Sequence, residues 1–140
     1  MTDPFSPVVL SPVAAATQRL ADAISLAVPD MPVRTKVVGP VSPPAVVIGP
    51  PQLMWQGYTQ QGRPTSGQWQ VYVVAAMNAY AVDTLLSLVA TISSAIELHT
   101  PAVVLGSEPG VYPSSGPSSG PTIQAGWPAY RITVAMESFI

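Results

Sequence analysis

The sequence predicts an α+β fold, a mixed and mostly antiparallel sheet of about four strands with two helices packed on it, in the order α-β-β-β-α-β. Three observations predict it. Residues 82–98 place apolar side chains every third or fourth position, the period of a helix with one buried face. Residues 68–76 and 130–136 alternate apolar with polar or small side chains, the period of half-buried strands. The length, 140 residues, supports one core, because a chain of that size buries about two-thirds of the surface it exposes when unfolded. A single domain over 1–140 follows, with an extended arm at 1–10 and long loops rich in Pro and Gly at 49–67 and 106–121.

Each element has a local reason. The arm contains Pro4 and Pro7, which resist regular structure, and is read either as disordered or as reaching to a partner. Ser11 followed by Pro12 is a helix start: the hydroxyl satisfies a free amide and the proline loses no hydrogen bond there. The first helix should run to about Val28, with Val13, Ala16, Leu20, Ala23, Ile24 and Ala27 inward and Gln18, Arg19 and Asp22 outward, until Pro29 ends it. Residues 33–38 and 45–48 read as β-branched strands forming a hairpin at a sheet edge, the second kept short by Pro43, Pro44, Pro50 and Pro51.

Residues 49–67 have no clear period, yet they hold Leu53, Met54, Trp55 and Tyr58, large side chains that a solvated loop seldom keeps without a use. The strand at 68–76 puts Trp69, Val71, Val73 and Ala75 on one face and should be central. In the second helix, from Asp83 to Leu98, Val82, Leu85, Leu86, Val89, Ile92 and Ile96 gather on one stripe with Ser93. The opposite side, Thr84, Ser87, Thr91 and Ser94, is small and neutral where Lys and Glu are usual. It is either a plain solvated face or one that accepts a neighbouring subunit. The run 106–121 is dominated by Gly, Pro and Ser and reads as a flexible loop. The closing strand should pair beside the Trp69 strand.

Composition narrows the function. Five basic and seven acidic residues make 9% of the chain, against about 25% in an average domain, while 48% is apolar. An exterior so poor in charge is expected to be covered by other protein. A net charge of -2 provides no clustered cations to neutralise phosphates, which excludes free nucleic acid as the expected ligand. Cysteine is absent, so neither a disulfide framework nor a Cys-based zinc site can form. The first residues lack the basic start of a signal peptide, and export by that route is not expected. Residues 79–98 are long enough to span a membrane, but Asp83, Glu97 and five Ser or Thr residues argue for an amphipathic helix.

Catalytic chemistry is not expected. His99 is the single histidine, placed at a helix end where it favours the dipole, and the seven acids show no metal-ligand spacing. The serines have no nucleophile-elbow pattern, and the glycines of 106–120 lack a phosphate-loop ending. No catalytic, cofactor or metal residue is therefore assigned. The candidate interface residues are Leu53, Met54, Trp55, Tyr58 and Arg63 in the first loop, Thr84, Ser87, Thr91 and Ser94 on the helix, and Val111 and Tyr112 in the second loop. Aromatics suit protein contacts, and packing of Trp55 and Tyr58 in their own core stays open as the alternative.

The layout resembles the tail terminator, or tail completion, proteins of long non-contractile-tailed bacteriophages. The resemblance is carried by the Ser11-Pro12 helix, the Pro-flanked strand at 45–48, the strand at 69–74 running into the Asp83 helix, and the closing strand at 128–134. It rests on layout more than on a motif. It implies a hexameric ring, assembled in the host cytoplasm and carried in the virion, that caps the head-proximal end of the tail tube, stops its polymerisation and joins the neck. The implied partners are further copies of the chain, the tail tube protein and neck proteins; the genome would pass a lumen that Arg34 and Lys36 face, with no cofactor and no membrane. Another neck or tail tube protein is one alternative, and a non-viral protein-binding module a second.

Overall fold

The computed structural model describes residues 12–35, 43–54, 66–76, 78–113 and 126–137, and the fold is α+β. Its elements are α1 (Pro12–Ala27), β1 (Val33–Arg34), β2 (Ala45–Ile48), β3 (Gln52–Met54), β4 (Ser66–Val74), α2 (Ala81–His99), β5 (Val103–Pro113) and β6 (Gly126–Met136). Among the described residues the sheet has six strands, in the order β1-β2-β4-β6-β5 with β3 also paired to β4. As the alternation at 68–76 requires, β4 is central, and β6 lies antiparallel beside it with Trp69 opposite Val134.

Both helices lie on one face of this sheet. Their inner residues, Leu20 and Ile24 from α1 and Leu85, Ile92 and Ile96 from α2, meet Trp69, Val71, Val73, Ile132 and Val134 in one cluster. Within it the Trp69 indole donates to the Thr17 hydroxyl at 2.9 Å, and that hydroxyl donates to the Val13 carbonyl at 3.0 Å. A buried indole N–H needs such an acceptor. The threonine that provides it sits on the first turns of α1 and pins that helix to the central strand.

The observed sheet corrects four expectations. Six strands replace about four, because two segments read as loop are paired. Residues 52–54 form β3 along the first half of β4, while β2 pairs along its second half. Together they line one side of β4, interrupted at Pro50 and Pro51, which have no amide to give a ladder. Residues 106–113 belong to β5, an eleven-residue strand antiparallel to β6. The expected hairpin of the first two strands is a parallel pair, Val33 opposite Val46 and Arg34 opposite Val47, which no tight turn can connect. The α2 stripe is also rotated. Ala81 and Ala95 join Leu85, Ile92 and Ile96 inside, whereas Val82 is 62% and Leu86 49% exposed.

Candidate assembly surface

The turn before α2 is set by Asn78, whose side-chain oxygen accepts the Tyr80 amide at 2.8 Å. Its far end is closed by Thr100, whose hydroxyl donates to the Ile96 carbonyl at 2.6 Å and accepts the Ala102 amide at 3.1 Å. The helix is thus held at both ends, and which sides it shows follow from its pitch. At about 100° per residue, Val82, Leu86, Ser93 and Glu97 share one flank. The Glu97 carboxylate accepts the Val104 amide at 2.9 Å, so that flank is the one beside β5. Thr84, Ser87, Thr91 and Leu98 share the other. No charged residue occurs between Asp83 and Glu97.

Thr84, Ser87, Thr91 and Ser94 are all exposed, as the small neutral side of the helix requires. The Thr91 hydroxyl donates back to the Ser87 carbonyl at 3.0 Å. Large apolar side chains accompany this row: Val82 and Leu86 flank it on the β5 side, and Leu98, 77% exposed, extends it at its C-terminal end. Between Asp83 and Glu97, then, the exposed side of the helix offers apolar groups and small hydroxyls. Such a surface is suited to close approach by protein.

At its outer side β5 continues the pattern. Among the described residues it pairs with β6 alone, and Val103, Leu105 and Val111 are all more than half exposed. Leu105 is the extra residue of a bulge, which turns its side chain out of the alternation. On the face away from the helices, Gly106, Glu108 and Gly110 leave a shallow recess on either side of the Glu108 carboxylate, which is paired with Arg131. Both partners are about half exposed, so the pair contributes at most about 1 kcal/mol.

The same face carries a smaller apolar cluster of Ala45, Val47, Val74, Tyr112 and Ala129, packed against Tyr72 and Trp127. Tyr72 and Tyr112 meet edge to face, with ring centroids 5.4 Å apart. Burial pushes the Tyr112 phenol above its usual range; the Arg34 charge opposes that rise and Tyr72 adds to it. Tyr112 is therefore an internal packing residue of the described structure, not a surface one. Arg34 lies half-buried within electrostatic reach of it, which places the cation at the β1 end of this face.

Among the other candidates, Leu53 is half-buried and Met54 exposed on β3, and Val111 is exposed on β5. Trp55, Tyr58, Arg63 and Lys36 lie outside the described residues, as do Ser11, the arm at 1–10 and residues 114–121. Glu97, read as a non-catalytic acid, holds a strand amide. His99 is exposed in the last turn of α2. Among the described residues, no three of His, Cys, Asp or Glu converge as metal ligands. The surface residues that sequence reasoning missed are Val82, Leu86, Leu98, Val103 and Leu105. A whole-stripe reading of α2 hides the first two, while a flanking strand that reads as loop hides Val103 and Leu105. The chain matches no known protein-family model and shows no significant sequence similarity to a curated protein.

Proposed function

We propose that this chain is a structural virion subunit of the tail-terminator kind. It forms a hexameric ring on the head-proximal end of a phage tail tube, stops tube growth and offers the neck its joining surface. It assembles in the host cytoplasm and catalyses nothing. One observation carries the reading: α2 and β5 expose the large apolar side chains of Val82, Leu86, Leu98, Val103, Leu105 and Val111. Large apolar side chains exposed in this number on two neighbouring elements suit contact with protein. The Thr84 to Ser94 side of α2 is one ring contact; a head-to-tail ring needs two different patches that close. Electron microscopy of tails assembled with and without the protein tests the reading. Overlong tails, or tails that fail to join heads, are the expected result of omission; tails of normal length joined to heads would refute it.

A further inference from the structure

From the way β3 joins the sheet we infer that it is a releasable strand: it peels from β4 while the rest of the fold stays closed, and in doing so uncovers the amide and carbonyl of Gln68. The inference stands apart from the tail reading, since it concerns a motion of the single chain.

The ladder along this side of β4 is built in two separate parts. Successive residues of an antiparallel strand point their amide and carbonyl toward one neighbour and then the other. The Gln70 carbonyl accepts the Gly49 amide at 2.9 Å, so Gln70 faces the β2 side, and with it Ser66, Gln68, Tyr72 and Val74. Tyr72 and Val74 stand opposite Val47 and Ala45 of β2, whereas Gln68 and Ser66 stand opposite Gln52 and Met54 of β3. Between the two parts, Pro50 and Pro51 supply no amide. The register also breaks there. Continued from Ile48 opposite Val71, it would set Gln52 opposite Gly67, yet Gln52 lies opposite Gln68. A ladder interrupted in this way does not carry closure from β2 to β3.

Side chains hold the two parts very differently. All of β2 is buried, Val46 and Ile48 in the main cluster and Ala45 and Val47 in the second. In β3, Gln52 and Met54 are exposed, and Leu53 is half-buried and belongs to neither cluster. What β3 gains on closing is chiefly the backbone hydrogen bonds of two residue pairs. What it loses is the backbone freedom of three residues, a contribution of similar size and opposite sign. Nor does β4 depend on it: from Gly67 to Val74 that strand pairs with β6 on its other side, and Trp69, Val71 and Val73 are fully buried. An element with so little buried apolar surface opens at a free energy below that of global unfolding. Leu53 and Met54, both candidate interface residues, are thus carried by a strand that moves without the core, and its opening gives β4 an edge at Gln68 that the closed state hides.

Hydrogen exchange of the full chain, followed residue by residue by NMR, tests this with an internal control, because Gln68 and Tyr72 point the same way from one strand. The Gln68 amide should exchange at least about a hundredfold faster than those of Tyr72 and Trp69, at a rate that low urea leaves unchanged. Exchange at Tyr72 and Trp69 should instead follow the urea dependence of global unfolding. A disulfide can lock the strand. Gln52→Cys with Gln68→Cys sets two thiols across a hydrogen-bonded pair, about 5.5 Å between Cα atoms, a spacing that a disulfide bridges, and the chain has no other cysteine. Oxidation of this variant should slow exchange at position 68 about tenfold or more, and reduction should restore it. Gln52→Pro removes an amide from β3; it should speed exchange at Gln68 further and leave Tyr72 within about twofold of its wild-type rate. Equal protection of Gln68 and Tyr72 in the wild-type chain overturns the proposal. So does a shared urea dependence, loss of Tyr72 protection together with that of Gln68 in Gln52→Pro, or exchange at position 68 that the closed disulfide leaves unaltered. None of these results bears on whether tails need the protein.

Discussion

Leu85 and Leu86 are neighbours in sequence and identical in chemistry, yet Leu85 is 2% exposed and Leu86 49%. Replacing Leu85 by Ala removes a side chain from between α2 and the sheet and leaves a cavity, which costs about 2–5 kcal/mol. At Leu86 the same three carbons go, each worth about 0.8 kcal/mol when fully buried. Half of that burial is already missing and solvent fills the space, so about 1 kcal/mol is expected. Urea unfolding of the two variants at low protein concentration, with wild-type slope, isolates the difference in stability of the single chain. Leu85→Ala should unfold at clearly lower urea, and its melting temperature should fall by roughly 3–6 °C per kcal/mol lost. Equal losses would refute the reasoning, because they would mean that α2 turns the Val82 and Leu86 flank onto the sheet.

Two further outcomes follow from the described contacts. Thr17→Val keeps the shape of the side chain but takes away the oxygen that accepts the Trp69 indole; it should cost about 1–3 kcal/mol, and Thr17→Ser much less, in the same unfolding assay. Parity of Val and Ser there would mean the hydrogen bond is immaterial. The raised pKa of Tyr112 sets an alkaline limit: the folded chain holds its phenolic proton where the unfolded chain releases it. The stability linked to this group is thus intact below about pH 10 and declines as pH rises from there through the folded value. Tyr112→Phe should flatten the fall in unfolding free energy between about pH 9 and 11, and an unchanged slope would place the titration elsewhere.

The central part of the fold was legible because its local signals agree with each other. Trp69, Val71 and Val73 alternate over a strand with both neighbours present, and Leu20, Ile24, Leu85, Ile92 and Ile96 recur at helical spacing. Pro29 and Pro101 stop helices where no amide is needed. The periphery was not legible. Gly106, Pro109 and Gly110 oppose strand formation one residue at a time, and they become strand because β6 presents a full ladder to them. Pro109 is tolerated at an outward position, where its missing amide breaks no bond to β6. Val33 and Val46 pair in parallel for a similar reason: strand direction is set by how the edge fits the sheet, and no residue in either segment encodes it.

The candidate surface divides in the same way. A charge-poor chain whose second helix has a row of Thr and Ser could be read directly, since composition and helical spacing are properties of the chain before it folds. Which side of that helix faces solvent could not. Nine apolar positions from Val82 to Ile96 fill more of the circumference than one sheet can cover, so packing against α1 and the sheet chose Ala81, Leu85, Ile92, Ala95 and Ile96 and left Val82 and Leu86 outside. Spacing alone specifies that a helix has an apolar side; the angle at which it lies on its neighbours selects the residues that side contains.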